Sequence, residues 1–218
     1  MIEYIILCDK MNYSLLVKKL NGDKRYVSRD LIKKYSNSLG IPYSDSIAYL
    51  TRNNYLYTIL RGVFYNPTIE ERKLKRMNVN HREAISEALS KKGVTNWYFG
   101  LESALKMNNL THEFYTLDTI INDSIFRENP IKVLGNKIRF IKVKPDLFGF
   151  GTIDLRGCKY SDKEKTVLDI IYLDKYNGKS DDEIKDRISP FIPYCSIPKL
   201  LEYSKNYNRS VEIFIEGL

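Results

Sequence analysis

Apolar positions in the first part of the chain recur at helical spacing and predict two helices before residue 40. The first covers residues 2–20, with a break near Asn12 left open and an end at Asn21-Gly22-Asp23. We expect Ser28 to cap the second, because its hydroxyl can accept a hydrogen bond from a free amide of the first turn. The apolar positions are Ile5, Ile6, Leu7, Leu15, Leu16, Val17 and Leu20 in the first helix, and Leu31, Ile32 and Tyr35 in the second, which Gly40 ends.

Polar and apolar positions also separate on a third predicted helix. It begins at Ser44 or Asp45, both good N-caps, and runs to Asn53. Ile47 and Leu50 are three residues apart and are expected to face the core. The outer face then holds polar, aromatic and mostly short side chains, which are typical of a helix that enters the DNA major groove: Asp45, Ser46, Tyr49, Arg52 and Asn53.

The next pattern alternates and predicts a β-hairpin. Strands over residues 55–60 and 63–66 flank Arg61-Gly62, and Pro67 closes the second strand. Helix, helix, helix, hairpin is the order of a winged helix-turn-helix, which we assign to residues 1–67. Arg61 at the hairpin tip is then placed for phosphate or minor-groove contact.

The rest of the chain predicts a connector and a second domain. Residues 68–92 are charged and are expected to form a helical connector, and residues 93–218 a small α+β domain with a mostly antiparallel sheet. Strand-like runs cover 113–119, 131–134, 137–143 and 148–155, with a hairpin at Gly135-Asn136. Ser161-Asp162-Lys163-Glu164 matches a capping box, which would start a helix at Lys165, and further helices are predicted over 181–188 and 196–207. The fold class is therefore α+β.

Charge divides the chain in the same way. The formal net charge is +8, and residues 1–92 hold 17 Lys and Arg against 9 Asp and Glu, whereas residues 93–218 hold 18 of each. A basic module joined to a neutral one suggests that the basic part faces a polyanion, although a solvated lysine-rich surface is the alternative. For the basic side chains of the connector (Arg72, Lys73, Lys75 and Arg76), contact with the DNA backbone and simple solvation both stay open.

These patterns yield one set of candidate DNA-binding residues and no catalytic set. The DNA-binding candidates are Arg29, Lys33, Lys34, Ser44, Asp45, Ser46, Tyr49, Arg52, Asn53, Tyr57 and Arg61. No phosphate-binding loop occurs, and Gly149-Phe150-Gly151 is followed by Asp154 where a dinucleotide fingerprint needs its third glycine. His81 and His112 have no second ligand at metal spacing, and helix capping accounts for Asp162 and Glu164. We therefore expect no cofactor and no metal.

The apolar runs, the N-terminus and the cysteines indicate which cellular compartment to expect for the protein. No apolar run approaches the ~20 residues that span a bilayer, and the N-terminus lacks the basic region and cleavage site of a signal peptide. Cys8, Cys158 and Cys195 are far apart and show no CxxC spacing, as expected of free thiols in a reducing cytosol. The expectation is a cytoplasmic protein with no membrane partner.

Several short motifs of the chain match those of one known family. The motifs are Val27-Ser28-Arg29-Asp30-Leu31, Tyr49-Leu50, Asn54-Tyr55-Leu56, Leu60-Arg61-Gly62-Val63-Phe64, Glu102-Ser103-Ala104-Leu105 and residues 162–169. They resemble the AbiEi-type antitoxins, which are transcriptional regulators of abortive-infection (type IV) toxin–antitoxin systems, although Phe64 stands where the family has tyrosine at the end of the wing. The resemblance implies a winged helix that binds inverted repeats in the protein's own promoter, and a C-terminal domain that counteracts a nucleotidyltransferase-like toxin.

Two other functions remain open from the sequence. One is a nuclease or nucleotidyltransferase whose basic half only holds substrate, in which case Asp154 or Asp169 would be needed for a metal-dependent activity. The other is a protein adaptor whose winged helix does not bind DNA.

Overall fold

The computed structural model describes the backbone of residues 2–218 and the side chains from Asn12 onward. The predicted apolar positions Ile5, Ile6 and Leu7 lie outside the described side chains. The chain divides into two compact units. The first comprises Met1–Val94 with Val133–Gly135, and the second comprises Thr95–Lys132 with Asn136–Leu218.

The first unit combines helices with a small antiparallel sheet. Strand β3 lies in the middle of the sheet, whose order is β1-β3-β2. Tyr26 of β1 and Tyr57 of β2 both pair with Tyr65 of β3. The elements are α1 (Ile2–Asn21), β1 (Tyr26–Ser28), α2 (Arg29–Ser38), α3 (Tyr43–Arg52), β2 (Tyr57–Leu60), β3 (Val63–Tyr65), α4 (Ile69–Leu74) and α5 (His81–Lys91).

One apolar cluster joins the first three helices to the sheet. Helix α1 is continuous through Asn12, so no break occurs there, and it ends at the predicted Asn21-Gly22 stop. Ser28 caps α2 as expected, accepting a hydrogen bond from the Leu31 amide at 3.3 Å. Leu15, one of the apolar positions of the predicted first helix, is exposed. The buried members of the cluster are Leu16, Leu20, Val27, Ile32, Ile41, Leu50, Leu56 and Phe64.

Residues 68–92 are largely helical, as predicted, but they group with the first unit, whereas a separate connector was expected. A capping box between Thr68 and Glu71 starts α4, and Asn80 caps α5. Helix α5 packs against all three strands of the sheet. Among the charged residues of α5, an apolar stripe with i, i+4 spacing was not recognised from the sequence. The structure buries this stripe, which consists of Ala84, Ile85, Ala88 and Leu89.

The second unit is built on a six-stranded sheet and five helices within residues 95–218. The sheet order is β6-β7-β5-β4-β9-β8. Short 3₁₀ turns occur at Pro145–Leu147 and Ile192–Tyr194. The elements are β4 (Trp97–Phe99), α6 (Glu102–Met107), β5 (Leu117–Asn122), β6 (Ile131–Val133), β7 (Asn136–Lys142), β8 (Thr152–Leu155), β9 (Cys158–Ser161), α7 (Lys163–Tyr176), α8 (Asp181–Ile188), α9 (Ile197–Ser204) and α10 (Arg209–Glu216).

The sheet contains antiparallel pairs, as predicted, together with two parallel pairs that were not predicted. Strands β4 and β5 are antiparallel, as are β8 and β9, but β5 pairs with β7 and β4 pairs with β9 in parallel. Parallel pairing needs a long connection, and residues 123–135 supply one between β5 and β7. The predicted hairpin between β6 and β7 is present, with positive φ at Leu134 and Gly135 (46° and 90°), as a type I′ turn requires. The strand predicted at 113–119 lies later, in β5.

Helix α7 is buried along most of its length and its cap differs from the prediction. The Asp162 carboxylate, not the Ser161 hydroxyl, accepts the hydrogen bond from the Lys165 amide, at 2.8 Å. Ser161 is buried and lies 2.7 Å from the Thr166 hydroxyl, while Glu164 accepts from the Ser196 amide at 2.9 Å. The helix therefore begins at Lys163, two residues before the expected start. One helix was predicted over residues 196–207, and the observed helix α9 ends at Ser204. Helix α10 was not predicted.

An ionic network at the start of α7 is enclosed by aromatic rings. The Lys165 ammonium lies 4.0 Å from the ring centroid of Phe150 and 3.8 Å from the Asp169 carboxylate. Asp169 accepts hydrogen bonds from the Tyr98 and Tyr207 hydroxyls at 3.0 and 2.6 Å. Burial raises the pKa of Asp169 and lowers that of Lys165. Asp169, one of the two carboxylates of the enzyme hypothesis, is therefore enclosed within the unit.

Within residues 2–218, no helix combines the length and apolar character that crossing a bilayer requires.

Candidate nucleic-acid interface

Helices α2 and α3 follow one another in the chain and are joined by a four-residue link at residues 39–42. Ile32 of α2, Ile41 of the link and Leu50 of α3 all lie in the apolar cluster of the first unit. This shared core fixes the two helices against each other and turns the rest of α3 outward. Gly40 in the link has φ of +67°, which favours glycine and ends α2.

The exposed side of α3 is a narrow stripe of small, polar and charged residues. Ser44, Ala48 and Arg52 follow one another at i, i+4 spacing, and Asp45 lies beside Ser44. The Ser44 hydroxyl donates to the Asp45 carboxylate at 3.1 Å. Ser44, Asp45 and Arg52 were predicted on this face. Ala48 was not, although its spacing from Ser44 and Arg52 would have identified it.

Three residues predicted for the outer face are turned away from it or engaged. Ser46 is fully buried and its hydroxyl has no hydrogen-bond partner among the described residues. Tyr49 is half-buried, with its ring stacked on Tyr13 at 4.4 Å. Asn53 is exposed, but its amide donates to the Tyr49 carbonyl at 2.8 Å and so closes the end of the helix.

The helix start explains these corrections. Helix α3 begins at Tyr43, and Pro42 occupies the cap position without a side-chain hydrogen bond, so neither Ser44 nor Asp45 is the cap. The buried face is centred on Ser46 and Leu50, four residues apart, and Ile47 is only partly buried. A small side chain at 46 allows the helix to approach its neighbours closely, which a pattern based on hydrophobicity alone does not register.

The hairpin tip is tied to the start of α2. The Arg29 amide donates to the Gly62 carbonyl at 2.8 Å, and Ser28 pairs with Val63 at this end of the sheet. Gly62 has φ of +83°, and a Cβ there would lie 3.5 Å from both Cβ and Nε of Arg29. Arg29 is therefore packed against the glycine, and its Nε has no hydrogen-bond partner among the described residues. Arg61, next to Gly62, is exposed as predicted.

Lys33 and Lys34 are exposed on α2. The Lys33 ammonium lies 5.7 Å from the ring centroid of Tyr43, the first residue of α3. This contact places a cation of α2 next to the N-terminus of α3.

A second basic surface surrounds a cavity of about 360 Å³ and includes two of the predicted residues, Asn53 and Tyr57. Arg72, Lys75 and Arg76 from α4 and the following turn also line it. Arg72 donates to the Asn21 side chain and its guanidinium lies 5.5 Å from the ring centroid of Tyr55. The sequence left open whether these basic side chains are solvated or contact DNA. In the structure they line the same cavity as Asn53 at the end of α3.

Glu71 anchors the base of this surface. Its carboxylate accepts hydrogen bonds from the Tyr65 hydroxyl at 2.6 Å and from the amides of Asn78 and Thr68 at 2.7 and 2.8 Å. Burial opposes its ionisation, but these bonds and the Arg25 guanidinium outweigh that effect and lower the pKa of Glu71 to about 2. The Glu71 carboxylate is therefore engaged by these partners, and the other charged side chains among the described lining residues are basic.

The described residues contain no group of three or more His, Cys, Asp or Glu side chains arranged to hold a metal ion. Asp154, the second carboxylate of the enzyme hypothesis, lies in the exposed strand β8 and accepts a hydrogen bond from the Gly157 amide at 2.8 Å. It is on a different element from the enclosed Asp169.

Comparison with known proteins gives a fold and no family. No protein family model matches the chain, and no curated protein matches it in sequence. The chain is similar to the crystal structure of the RV2827C protein from Mycobacterium tuberculosis, with a TM-score of 0.57 and 11% sequence identity over 95% of this chain and 75% of that one. At this identity the likeness is one of fold, and the fold is of the α+β class.

Proposed function

We propose that the chain is a sequence-specific DNA-binding transcriptional regulator whose first unit is a winged helix-turn-helix. The observation that carries the proposal is the exposed stripe of α3 in the unit that holds the whole positive excess of the chain. A helix whose opposite face is fixed in a core and whose outer face carries short polar and charged residues suits the major groove.

The connectivity supports the winged-helix assignment. The order α1-β1-α2-α3-β2-β3, with an antiparallel β1-β3-β2 sheet, gives a helix pair followed by a β-ribbon. The four residues between α2 and α3 match the short turn of DNA-binding helix-turn-helix motifs. In this proposal the β2–β3 hairpin is the wing.

Each exposed side chain has a role that follows from its chemistry. Arg52 suits guanine through its two parallel donors, Asp45 suits the cytosine amino group, and the Ala48 methyl suits the methyl group of thymine. Arg61 at the wing tip, with Lys33 and Lys34 on α2, would hold phosphates and set the register of the protein on the duplex.

The motif resemblance extends the proposal to the second unit. A regulator of the type IV antitoxin kind would repress its own operon through inverted repeats, and residues 95–218 would engage a nucleotidyltransferase-like toxin. Co-expression with the product of a neighbouring nucleotidyltransferase-like gene tests this part. Relief of toxicity and co-purification are expected, and unrelieved toxicity without a complex would contradict it.

Selection from a pool of random duplexes tests the DNA-binding part. The wild-type chain is expected to enrich a defined motif. Ala48→Glu places a carboxylate on the exposed stripe, where it would repel phosphates without disturbing the core, so enrichment should be lost. Ser210→Glu, at an exposed helical position of the second unit, is the matched control and should enrich the same motif as wild type. Equal enrichment by both variants would contradict the assignment of α3.

A further inference from the structure

The second unit contains a cavity of about 810 Å³ that the proposed DNA-binding function does not use. Its apolar floor includes Ile141 and Val143, at the end of β7 and just after it, and Ile170 and Leu173 in the C-terminal half of α7. Pockets of about 300–1,000 Å³ with an apolar floor are typical of small-molecule sites. The volume is therefore sufficient for a ligand with at least one ring system.

Two aromatic side chains line the cavity and are largely exposed to solvent. Phe126 is 74% exposed and Tyr176 is 83% exposed. Neither takes part in an aromatic or cation–π contact with another described residue. Because large aromatic rings are normally buried or half-buried, two such rings at one cavity are available to stack on a planar ligand.

The acidic side chains of the cavity are already engaged. Arg187 donates to both carboxylate oxygens of Asp174 at 2.7 Å and to Glu102 at 2.8 Å. Lys179 lies 3.1 Å from Asp174. Asp123 accepts a hydrogen bond from the Asn96 amide at 2.7 Å. Cations therefore offset the charges of Asp174 and Glu102, whereas Asp123 is hydrogen-bonded to a neutral group and keeps its charge.

The basic side chains are less fully engaged. Lys142 and Lys144 line the cavity and are exposed, and no carboxylate of the described side chains lies within ion-pairing distance of either. Arg139 donates to the Thr119 hydroxyl at 3.1 Å and lies 3.7 Å from the Glu102 carboxylate, but its buried Nε has no hydrogen-bond partner in the described part of the chain. The charge that remains available in the cavity is positive.

We propose that this cavity binds a small anionic molecule with a planar ring. The ring would lie on the apolar floor against Phe126 or Tyr176, and the anionic group, a phosphate or a carboxylate, would be held by Lys142, Lys144 and Arg139 through charge-assisted hydrogen bonds. The inference stands on the second unit alone and does not depend on DNA binding by the first.

Titration calorimetry and amide-resonance mapping of the full chain test the proposal. The anionic probes are adenosine monophosphate, phenyl phosphate and benzoate, with adenosine and benzamide as uncharged matches. Saturable binding of at least one anionic probe is expected, with perturbed resonances at β7 and the C-terminal end of α7. Whether the phosphates or benzoate bind more tightly identifies the anionic group.

Matched variants locate the site. The double variant Lys142→Gln/Lys144→Gln should weaken binding about tenfold or more, as expected for lost charged hydrogen bonds. Tyr176→Ala should weaken it several-fold. Lys137→Gln on the same strand and Tyr194→Ala elsewhere in the unit do not line the cavity and should bind as wild type does.

Three outcomes would overturn the proposal. The first is the absence of saturable binding of every anionic probe at concentrations up to about 1 mM. The second is equal affinity for adenosine monophosphate and adenosine, which would remove the role of the charge. The third is undiminished binding by the double lysine variant.

Discussion

At the scale of single residues, the contrast between Ser46 and Ala48 on α3 shows what the sequence does not reveal. Hydrophobicity places serine outside and leaves alanine undecided, yet Ser46 is fully buried and Ala48 is exposed. Residues two positions apart on a helix are separated by about 200° around its axis, so Ser46 and Ala48 lie on opposite faces. Packing decides which face is buried, and a small side chain is selected for its volume as much as for its polarity.

Ser46→Ala should leave DNA binding unchanged and should not reduce stability. The Ser46 hydroxyl is buried and has no hydrogen-bond partner among the described side chains, so its removal should raise the free energy of unfolding by up to about 1 kcal/mol. Denaturant unfolding and a titration with selected duplex DNA measure the two effects. A loss of sequence preference in this variant would mean that position 46 contacts bases after all.

Arg61→Ala should weaken binding of all duplexes by about 1 kcal/mol or more and make the slope of affinity against salt shallower by about one ion. The reason is that a phosphate contact releases condensed counterions. Arg156→Ala is the matched control, since Arg156 is also exposed and also precedes a glycine in a hairpin turn. An unchanged salt slope for Arg61→Ala would remove Arg61 from the interface.

Glu71 should make stability depend on acid pH. Its folded pKa of about 2 lies below the ordinary value of 4.5, so its contribution is complete above about pH 4.5 and is lost as the pH falls through about 2. The contribution is of the order of 3 kcal/mol or less. Urea unfolding across this range should show a flatter pH dependence for Glu71→Gln than for wild type. Glu70→Gln, at an exposed neighbouring position, should behave as wild type does.

At the scale of helices and strands, local signals predicted most elements and failed where tertiary packing decides. The Ser28 cap, the Arg61-Gly62 hairpin and the hairpin predicted at Gly135-Asn136 depend on short-range backbone geometry, and all three were found, the last with its turn one residue earlier, at Leu134-Gly135. The parallel pairings of β5 with β7 and of β4 with β9 depend on contacts between distant segments, which no local pattern encodes. The packing of α5 on the sheet of the first unit was not predicted for the same reason, because it too depends on contacts between distant segments.

Asp162→Ala should destabilise the second unit by about 2 kcal/mol or more. Asp162 caps α7 and also accepts hydrogen bonds from the Lys199 ammonium at 2.8 Å and the Tyr203 hydroxyl at 3.2 Å, so the substitution removes a cap and a charged contact. Ser180→Ala removes only the cap of α8 and should cost about 1 kcal/mol. Thermal unfolding of both variants gives the comparison, and equal costs would contradict the role assigned to Lys199.

At the scale of the whole molecule, the sequence alone gives the distribution of charge, but it predicted only some of the residues of the candidate interface. The excess of 17 basic over 9 acidic residues in residues 1–92 needs no structure. Of the candidate site, the exposed positions Ser44, Asp45, Arg52 and Arg61 agree with the pattern, whereas Ser46 and Tyr49 do not. The ligand cavity had no sequence signal, because its residues come from separate segments that meet only in the folded unit.

The central claim is that the first unit discriminates between DNA sequences. Fluorescence anisotropy at one fixed salt concentration, with a selected duplex and a scrambled duplex of the same composition, measures this directly as a ratio of dissociation constants. We expect the selected duplex to bind at least about 10³-fold more tightly, as specific regulators do. A ratio near one, with both duplexes losing affinity equally as salt is raised, would contradict it.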